Sequence, residues 1–181
     1  MFLSLTSVQQ VYNHVTVTSA IRPMKLKTRK ELLAECACFD LRKATRAVSR
    51  MYDEFLRDRG LNITQFSLLR LICAEKELSI STLGRYMAMD RTSITRALAP
   101  LERDGLLHSR PGADRRIRIV SVSGKGRKLI ENAEPEWHKA QEALMEIVGE
   151  DRWRAMCTLL RDTTRMVRHR TVTQDQSQLE H

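Results

Sequence analysis

The residues best suited to chemistry are hydroxyl and guanidinium side chains clustered between Arg91 and Arg96. These groups donate hydrogen bonds to base edges and phosphate oxygens, and arginine is always positively charged. Asp90, directly before them, is a preferred N-cap residue, so a helix should begin here. Its N-terminal end carries five candidate nucleic-acid contacts: Arg91, Thr92, Ser93, Thr95 and Arg96.

A second basic group follows a turn sequence. Residues 111–115 are turn-forming, and Arg115, Arg116 and Arg118 project from this turn before the β-branched run 117–122. A basic hairpin of this kind can straddle phosphates or place an arginine in the minor groove. Asp114 has two compatible interpretations, a brace for the Arg116 guanidinium and a turn-forming Asx residue. We therefore add Asp114, Arg115 and Arg116 to the candidate contacts.

The distribution of charge supports this grouping. The 181 residues carry a net charge of +9. Residues 62–128 hold 13 Lys and Arg against 6 Asp and Glu, a net of +7, which leaves +2 for the rest. A solvated basic face is the alternative to an anion-binding site. No apolar run approaches the roughly 20 residues that span a bilayer, so we expect no membrane partner. The four cysteines lack the spacing of a disulfide scaffold and the N-terminus does not resemble a signal peptide, so we expect a protein of the reducing cytoplasm.

The central elements must position these side chains. We expect a helix after Thr64, another from Ser79 to about Ala88, and a third from Asp90 to Asp104 that stops at Gly105. The last two would cross closely at Gly84, as in a helix-turn-helix, with a two-stranded hairpin over residues 106–110 and 117–122. The inward side chains would be Leu83, Met87, Ile94, Leu98 and Leu101.

Amphipathic helices are predicted at both ends of this basic module. The first would run from about Thr28 to Arg59 and stop at Gly60, and two more would follow Ser123, interrupted at Gly149 and kinked by Pro135. Their seven-residue periodicity favours exchange of contacts between two subunits, with an intramolecular bundle as the alternative. The apolar face of the first helix is Leu33, Ala37, Leu41, Ala44, Val48, Met51 and Phe55.

These elements define the predicted organisation. The fold class is mainly α with a small β-hairpin wing: a winged helix-turn-helix domain with N- and C-terminal dimerisation helices. We assign residues 1–27 to a flexible extension, 62–123 to the DNA-binding domain, and 28–61 and 124–170 to the dimerisation helices. Residues 171–181 form a tail, and its last three residues resemble an expression-vector remnant.

From about Leu33 to Arg168 the chain resembles the multiple-antibiotic-resistance (MarR) family of regulators. The resemblance runs through four motifs: Asp90 to Arg96, Leu101 to Leu106, Asp114 to Arg116, and Val122-Ser123 with Gly126. It implies a homodimeric repressor that binds a pseudo-palindromic double-stranded DNA operator through recognition helices and wings. It also implies that Asp114 orients Arg116 toward the minor groove. Pro100 departs from the family pattern and should bend the recognition helix away from DNA.

A cysteine motif suggests how such a regulator would be released from DNA. Cys38-Phe39 followed by Leu41 is similar to the organic-hydroperoxide-sensing branch, which implies that Cys38 is the oxidant sensor, although Arg42 replaces the usual tyrosine. Cys36 lies about 160° from Cys38 around the helix, so the two cannot bridge within it. The alternative is a small-molecule effector pocket, for which the candidate residues are Arg42, Arg46, Tyr52 and Trp137.

Other functional classes have weak support in the sequence. The histidines are scattered without the spacing of a metal site, and there is no glycine-rich phosphate loop and no nucleophile elbow. We therefore expect no metal, no cofactor and no enzymatic activity. A helical assembly protein without DNA binding is a remote alternative, and it leaves the basic wing unexplained.

Overall fold

The computed structural model describes residues 36–178, with side chains described as far as Arg168. The predicted extension 1–27, Leu33 and the last three residues lie outside this range. The mainly helical winged architecture is confirmed. The elements are α1 Ala37–Leu56, a 3₁₀ turn Arg57–Arg59, α2 Ile63–Glu75, β1 Glu77–Ser79, α3 Ile80–Met87, α4 Arg91–Arg103, β2 Leu107–Pro111, β3 Arg118–Val122, α5 Gly124–Val148 and α6 Glu150–Gln178.

The chain divides into two units, Met1–Ala44 and Thr45–His181. The described part of the first unit, residues 36–44, is the start of helix α1. This helix begins at Ala37, where the carbonyl of Cys36 accepts from the backbone of Asp40 at 3.1 Å, and the start predicted near Thr28 lies outside the described residues. Cys38 therefore lies in its first turn. The other end matches the prediction, since Gly60 stops the helical segment with a left-handed φ of 69°.

Side-chain caps start the helices of the central region. Asp90 caps α4 and Ser79 caps α3, as predicted. The predicted cap of α2 at Thr64 is wrong, because Asn62 holds that position. The Asn62 side chain accepts from the backbone of Gln65 at 2.9 Å, and the Gln65 side chain accepts from the backbone of Asn62 at 3.0 Å. This capping box was present in the sequence as Asn62-x-x-Gln65.

The sheet has three strands and not the predicted two. They are antiparallel in the order β1-β3-β2, so the short strand β1 joins the hairpin at its free edge. Leu78 of β1 and Ser109 of β2 both pair with Val120 of β3. Strand β1 has only three residues, too few to show an alternating pattern. Its pairing was decided by tertiary contact with a segment 40 residues away in the chain.

The main apolar core packs helices α2, α3 and α4 against the sheet and the first turns of α5. The inward residues predicted for α3 and α4 are confirmed: Leu83, Ile94, Leu98 and Leu101 are at most 1% exposed, and Met87 packs against them. Gly84 allows the close crossing of the two helices, because a Cβ there would lie 2.9 Å from the carbonyl oxygen of Met89.

Two residues join helix α5 to this core. The buried hydroxyl of Ser123 accepts from the backbone of Gly126 at 3.0 Å and donates to the carbonyl of Gly105 at 2.7 Å. Gly126 packs so closely that a Cβ would collide with the carbonyl oxygen of Leu106 and lie 2.7 Å from Cγ1 of Val122. The Ser-x-x-Gly sequence therefore fixes where α5 leaves the sheet.

Helices α1, α5 and α6 are less buried. A small cluster of Tyr52, Ala140 and Leu144 packs α1 against α5. Helix α5 continues through Pro135, and α4 continues through Pro100. Helix α6 extends to Gln178 and so includes most of the segment assigned to a tail from the sequence. No helix among the described residues is long and apolar enough to cross a membrane.

Candidate nucleic-acid interface

The N-terminal turn of α4 is held by its own polar side chains. The Asp90 carboxylate accepts from the backbone N–H of Ser93 at 2.8 Å and from its hydroxyl at 2.6 Å. These hydrogen bonds hold the pKa of Asp90 below its usual range. The Thr95 hydroxyl donates to the carbonyl of Arg91 at 2.8 Å. The hydroxyl groups of Ser93 and Thr95 thus donate their hydrogen bonds within this turn of the helix, while their oxygens can still accept hydrogen bonds from a ligand.

The tip of the wing is an Asx turn. The side chain of Asp114 accepts from the backbone N–H of Arg116 at 2.9 Å, and the carbonyl of Asp114 accepts from Ile117 at 2.9 Å. The turn is closed by a 2.7 Å bond from the backbone N–H of Gly112 to the carbonyl of Ile117. Of the two roles considered for Asp114, the structure shows the turn-forming one, and Asp114 holds the backbone of Arg116 in place.

Two arginines of the wing point back onto the domain. Arg118 forms an ion pair with Glu102 of α4 at 2.7 Å and also donates to the hydroxyl of Ser109. Arg110 pairs with Glu77 of β1 at 2.6 Å. The expectation that Arg118 projects from the wing is therefore wrong. Arg118 instead ties the base of the wing to the C-terminal half of the recognition helix, a contact for which the sequence offered no local signal.

The other arginines of this region have no counter-ion among the described residues. Arg91 and Arg96 on α4, and Arg115 and Arg116 on the wing, are exposed, and their guanidinium groups form no ion pair or hydrogen bond within the described part of the chain. An unpaired guanidinium presents five donors to a ligand and matches the geometry of phosphate. The structure thus separates the arginines into a paired set that braces the wing and an unpaired set that faces solvent.

A groove of about 850 Å³ lies between the helix-turn-helix and the wing. Gly84, Ala88 and Ile94 contribute to its apolar part. The cationic side chains that line it include Arg91 of α4 and Arg116 of the wing, and no acidic side chain of the described residues lines it. Of the predicted contacts, the groove brings together Arg91, Thr95 and Arg116, and it is suited to an anionic ligand. The other predicted contacts do not line it: Thr92, Ser93, Arg96, Asp114 and Arg115.

The candidate sensor and effector residues are more dispersed. Cys36 and Cys38 are exposed at the start of α1, and Arg42 and Arg46 are exposed further along it. Tyr52 is buried and donates to the Gln141 side chain at 2.7 Å. Burial, together with nearby Cys157, raises its pKa.

The Trp137 side chain packs against residues of helix α2. Its ring stacks on Phe66 with the ring centres 6.1 Å apart, and the guanidinium of Arg70 lies 4.2 Å from its centre. Neither Trp137 nor Tyr52 lines the basic groove. The two aromatic candidates therefore hold α5 against its neighbours, and the groove suited to an anion lies elsewhere in the molecule.

Comparison with known proteins identifies the family. The chain is 32% identical to the transcriptional regulator MosR of M. tuberculosis, solved in complex with DNA. That match covers 75% of this chain and 98% of MosR, with a TM-score of 0.68. The family profile described as the MarR family matches residues 61–117. The chain belongs to the MarR family.

The chain is also similar to a curated relative and to a further solved structure. The chain is 30% identical over 95 residues to YdgJ of Bacillus subtilis (strain 168), an uncharacterised HTH-type transcriptional regulator. The match covers 51% of this chain and 58% of YdgJ. A Cys-to-Ser variant of MarR from E. coli, solved with operator DNA, is 18% identical over 76% of this chain and 98% of that chain, with a TM-score of 0.67. YdgJ and MosR are both described as transcriptional regulators.

Proposed function

We propose that the protein is a homodimeric transcriptional repressor that binds a pseudo-palindromic DNA operator. The observation that carries this proposal is the basic groove, which the unpaired guanidinium groups of Arg91 and Arg116 line and which no acidic side chain of the described residues lines. The recognition helix would enter the major groove with its N-terminal end, and the wing would reach the backbone or the minor groove. MosR, solved in complex with DNA, supports the assignment.

The exposed apolar side chains of the terminal helices support a dimer. Five large apolar residues of α5 and α6 are 42–74% exposed: Ile147, Leu159, Leu160, Met166 and Val167. Four of them, at positions 159, 160, 166 and 167, repeat at seven-residue spacing and so share one face of α6. An exposed apolar face of this kind is typical of an interaction site, and two-fold pairing would bury it. A symmetric dimer would present two recognition helices to half-sites about 34 Å apart. A DNA target would also be consistent with a cytoplasmic protein.

The test is binding to the intergenic DNA beside the gene, measured by fluorescence anisotropy. Arg96→Ala and Arg116→Ala should each weaken binding about tenfold or more, because each removes a phosphate or base contact. Arg103→Ala is the matched control, since Arg103 lies on the same helix but pairs with Asp104 at 3.1 Å. Wild-type affinity in both Arg96→Ala and Arg116→Ala would sink the assignment, provided that circular dichroism shows folded protein throughout.

Release from DNA would follow either effector binding or oxidation of Cys38. The exposure of Cys38 favours oxidation as a candidate route. Its sulfur would attack one oxygen of an organic hydroperoxide. The O–O bond would break, an alcohol would leave, and the thiol would be oxidised by two electrons to a sulfenic acid.

Cumene hydroperoxide should release wild type from DNA but not Cys38→Ser, and Cys73→Ser serves as the control. If wild type and Cys38→Ser respond alike, Cys38 is not the switch, and release by a small molecule becomes the supported route.

A further inference from the structure

The basic groove has one contributor from outside the winged domain. Arg168, in the last turn of α6 whose side chains are described, lines it together with Arg91 of the recognition helix and Arg116 of the wing. Helix α6 therefore does more than follow α5. It brings a cation from the C-terminal region, more than 45 residues beyond the end of the wing, to the surface that the helix-turn-helix and wing form.

Arg168 differs from three other arginines of its helix in having no partner among the described residues. Arg154 pairs with Glu150, Arg161 donates to Thr158, and Arg165 pairs with Asp162 at 3.0 Å. Each of these uses a partner three or four residues earlier, the spacing that places side chains side by side on a helix. At Arg168 those two positions hold Arg165 and Thr164, and it forms no ion pair or hydrogen bond among the described residues.

The convergence of charges indicates what the groove binds. Within the described part of the chain, Arg91, Arg116 and Arg168 are all unpaired and line one groove that has no acidic side chain. Like charges gathered in this way repel one another, and an anion bound in the groove would relieve that repulsion. Because two of the three belong to the surface proposed for DNA, the matching anion is the sugar–phosphate backbone.

We propose that Arg168 is a further DNA-binding residue, which adds a phosphate contact from α6 beside those of the recognition helix and the wing. This inference rests on the proposed DNA-binding function. Such a contact would carry no sequence information, since phosphates are the same at every position. It would raise affinity for operator and non-operator DNA alike, and it would act twice in a dimer.

The test is the salt dependence of binding to a labelled duplex of mixed sequence about 30 base pairs long, a length that holds both half-sites. The slope of log affinity against log salt should fall by about 0.9 for each phosphate that is no longer neutralised, or about 1.8 per dimer. Arg168→Ala should show this fall and bind about tenfold more weakly per phosphate near 0.1 M salt. Arg168→Lys keeps the charge and should retain the slope, which a purely structural role of the guanidinium would not predict.

Arg165→Ala is the matched control, one turn earlier on the same helix, and should keep the wild-type slope because Arg165 is already paired with Asp162. If Arg168→Ala also keeps that slope while Arg116→Ala lowers it, the inference is wrong and the DNA-binding function stands. Tighter binding by Arg168→Ala would overturn it as well, since Arg168 would then obstruct the groove. If wild type binds no duplex at all, the proposed function itself fails.

Discussion

The winged domain, residues 62–123, buries its apolar side chains more completely than the terminal helices α1, α5 and α6 do. In the winged domain Phe66, Leu69, Ile94 and Val120 are at most 1% exposed. In the terminal helices the buried cluster has three members among the described residues, while Ile147 is 74% and Leu159 66% exposed. The domain therefore completes its core within one chain, whereas the helices leave apolar surface that a second subunit would bury.

The two regions also differ in how many of their charged side chains form ion pairs. Around the terminal helices, Glu136 pairs with Arg59 and Lys139, and Asp162 pairs with Arg165. The winged domain uses ion pairs to brace the wing but leaves two arginines that line the groove, Arg91 and Arg116, without a partner among the described residues. The excess positive charge of the sequence can therefore bind an anion where the arginines have no carboxylate partner.

The largest effect should come from truncating one leucine in each region. Leu98→Ala removes a side chain that is 1% exposed, and we expect the free energy of unfolding to fall by about 2–5 kcal/mol. Leu159→Ala should leave the winged domain intact and instead weaken dimerisation. Urea unfolding and sedimentation at several protein concentrations separate the two, because only the second effect should depend on concentration. The comparison fails if Leu159→Ala leaves the dimer unchanged.

A pair of glycines at the start of α5 should give a smaller effect. Gly126→Ala places a Cβ against the backbone of Leu106 and the side chain of Val122, so we expect a loss of about 1–3 kcal/mol in the free energy of unfolding. Gly124→Ala is the matched control, since nothing among the described residues lies within 4 Å of its Cβ position. Equal unfolding midpoints for the two variants would show that the domain does not depend on this close packing.

The smallest effect should be on the stability of the protein at acid pH. Asp90 has a lowered pKa in the folded state, so its contribution to stability is fully present above its unfolded pKa of about 4 and is lost as the pH falls through the folded value. Asp90→Asn keeps a good N-cap but cannot titrate, and it should flatten the decline in the stability of the winged domain below about pH 4.

Glu136→Gln provides the counterpart in the terminal helices. The pKa of Glu136 is also lowered, chiefly by the hydrogen bonds from Lys139 and Arg59. Because these partners are charged, its pH-dependent contribution should shrink in high salt, whereas that of Asp90 rests on an uncharged serine. Urea unfolding from pH 2 to 6 at about 0.1 and 1 M salt tests this.

The same measurement tests Asp90. If the stability of Asp90→Asn varied with pH as that of wild type does, the assigned role of Asp90 would be contradicted.

Local signals predicted the elements that depend on local chemistry. The caps at Ser79 and Asp90, the stop at Gly60 and the inward faces of α3 and α4 follow from side chains within a few residues of each other. The cap of α2 was missed although Asn62 and Gln65 carried the signal. The helix start predicted near Thr28 lies outside the described residues and stays a prediction.

The sequence by itself determined the family, the helix-turn-helix and the concentration of positive charge in its centre, since these depend on short-range spacing and composition. Only the tertiary structure decided which arginines remain available for a ligand. Pairing of Arg118 with Glu102, the addition of β1 to the sheet and the position of Arg168 at the groove join segments far apart in the chain. Such contacts leave no local pattern, because they depend on how the elements pack and not on the order in which they occur.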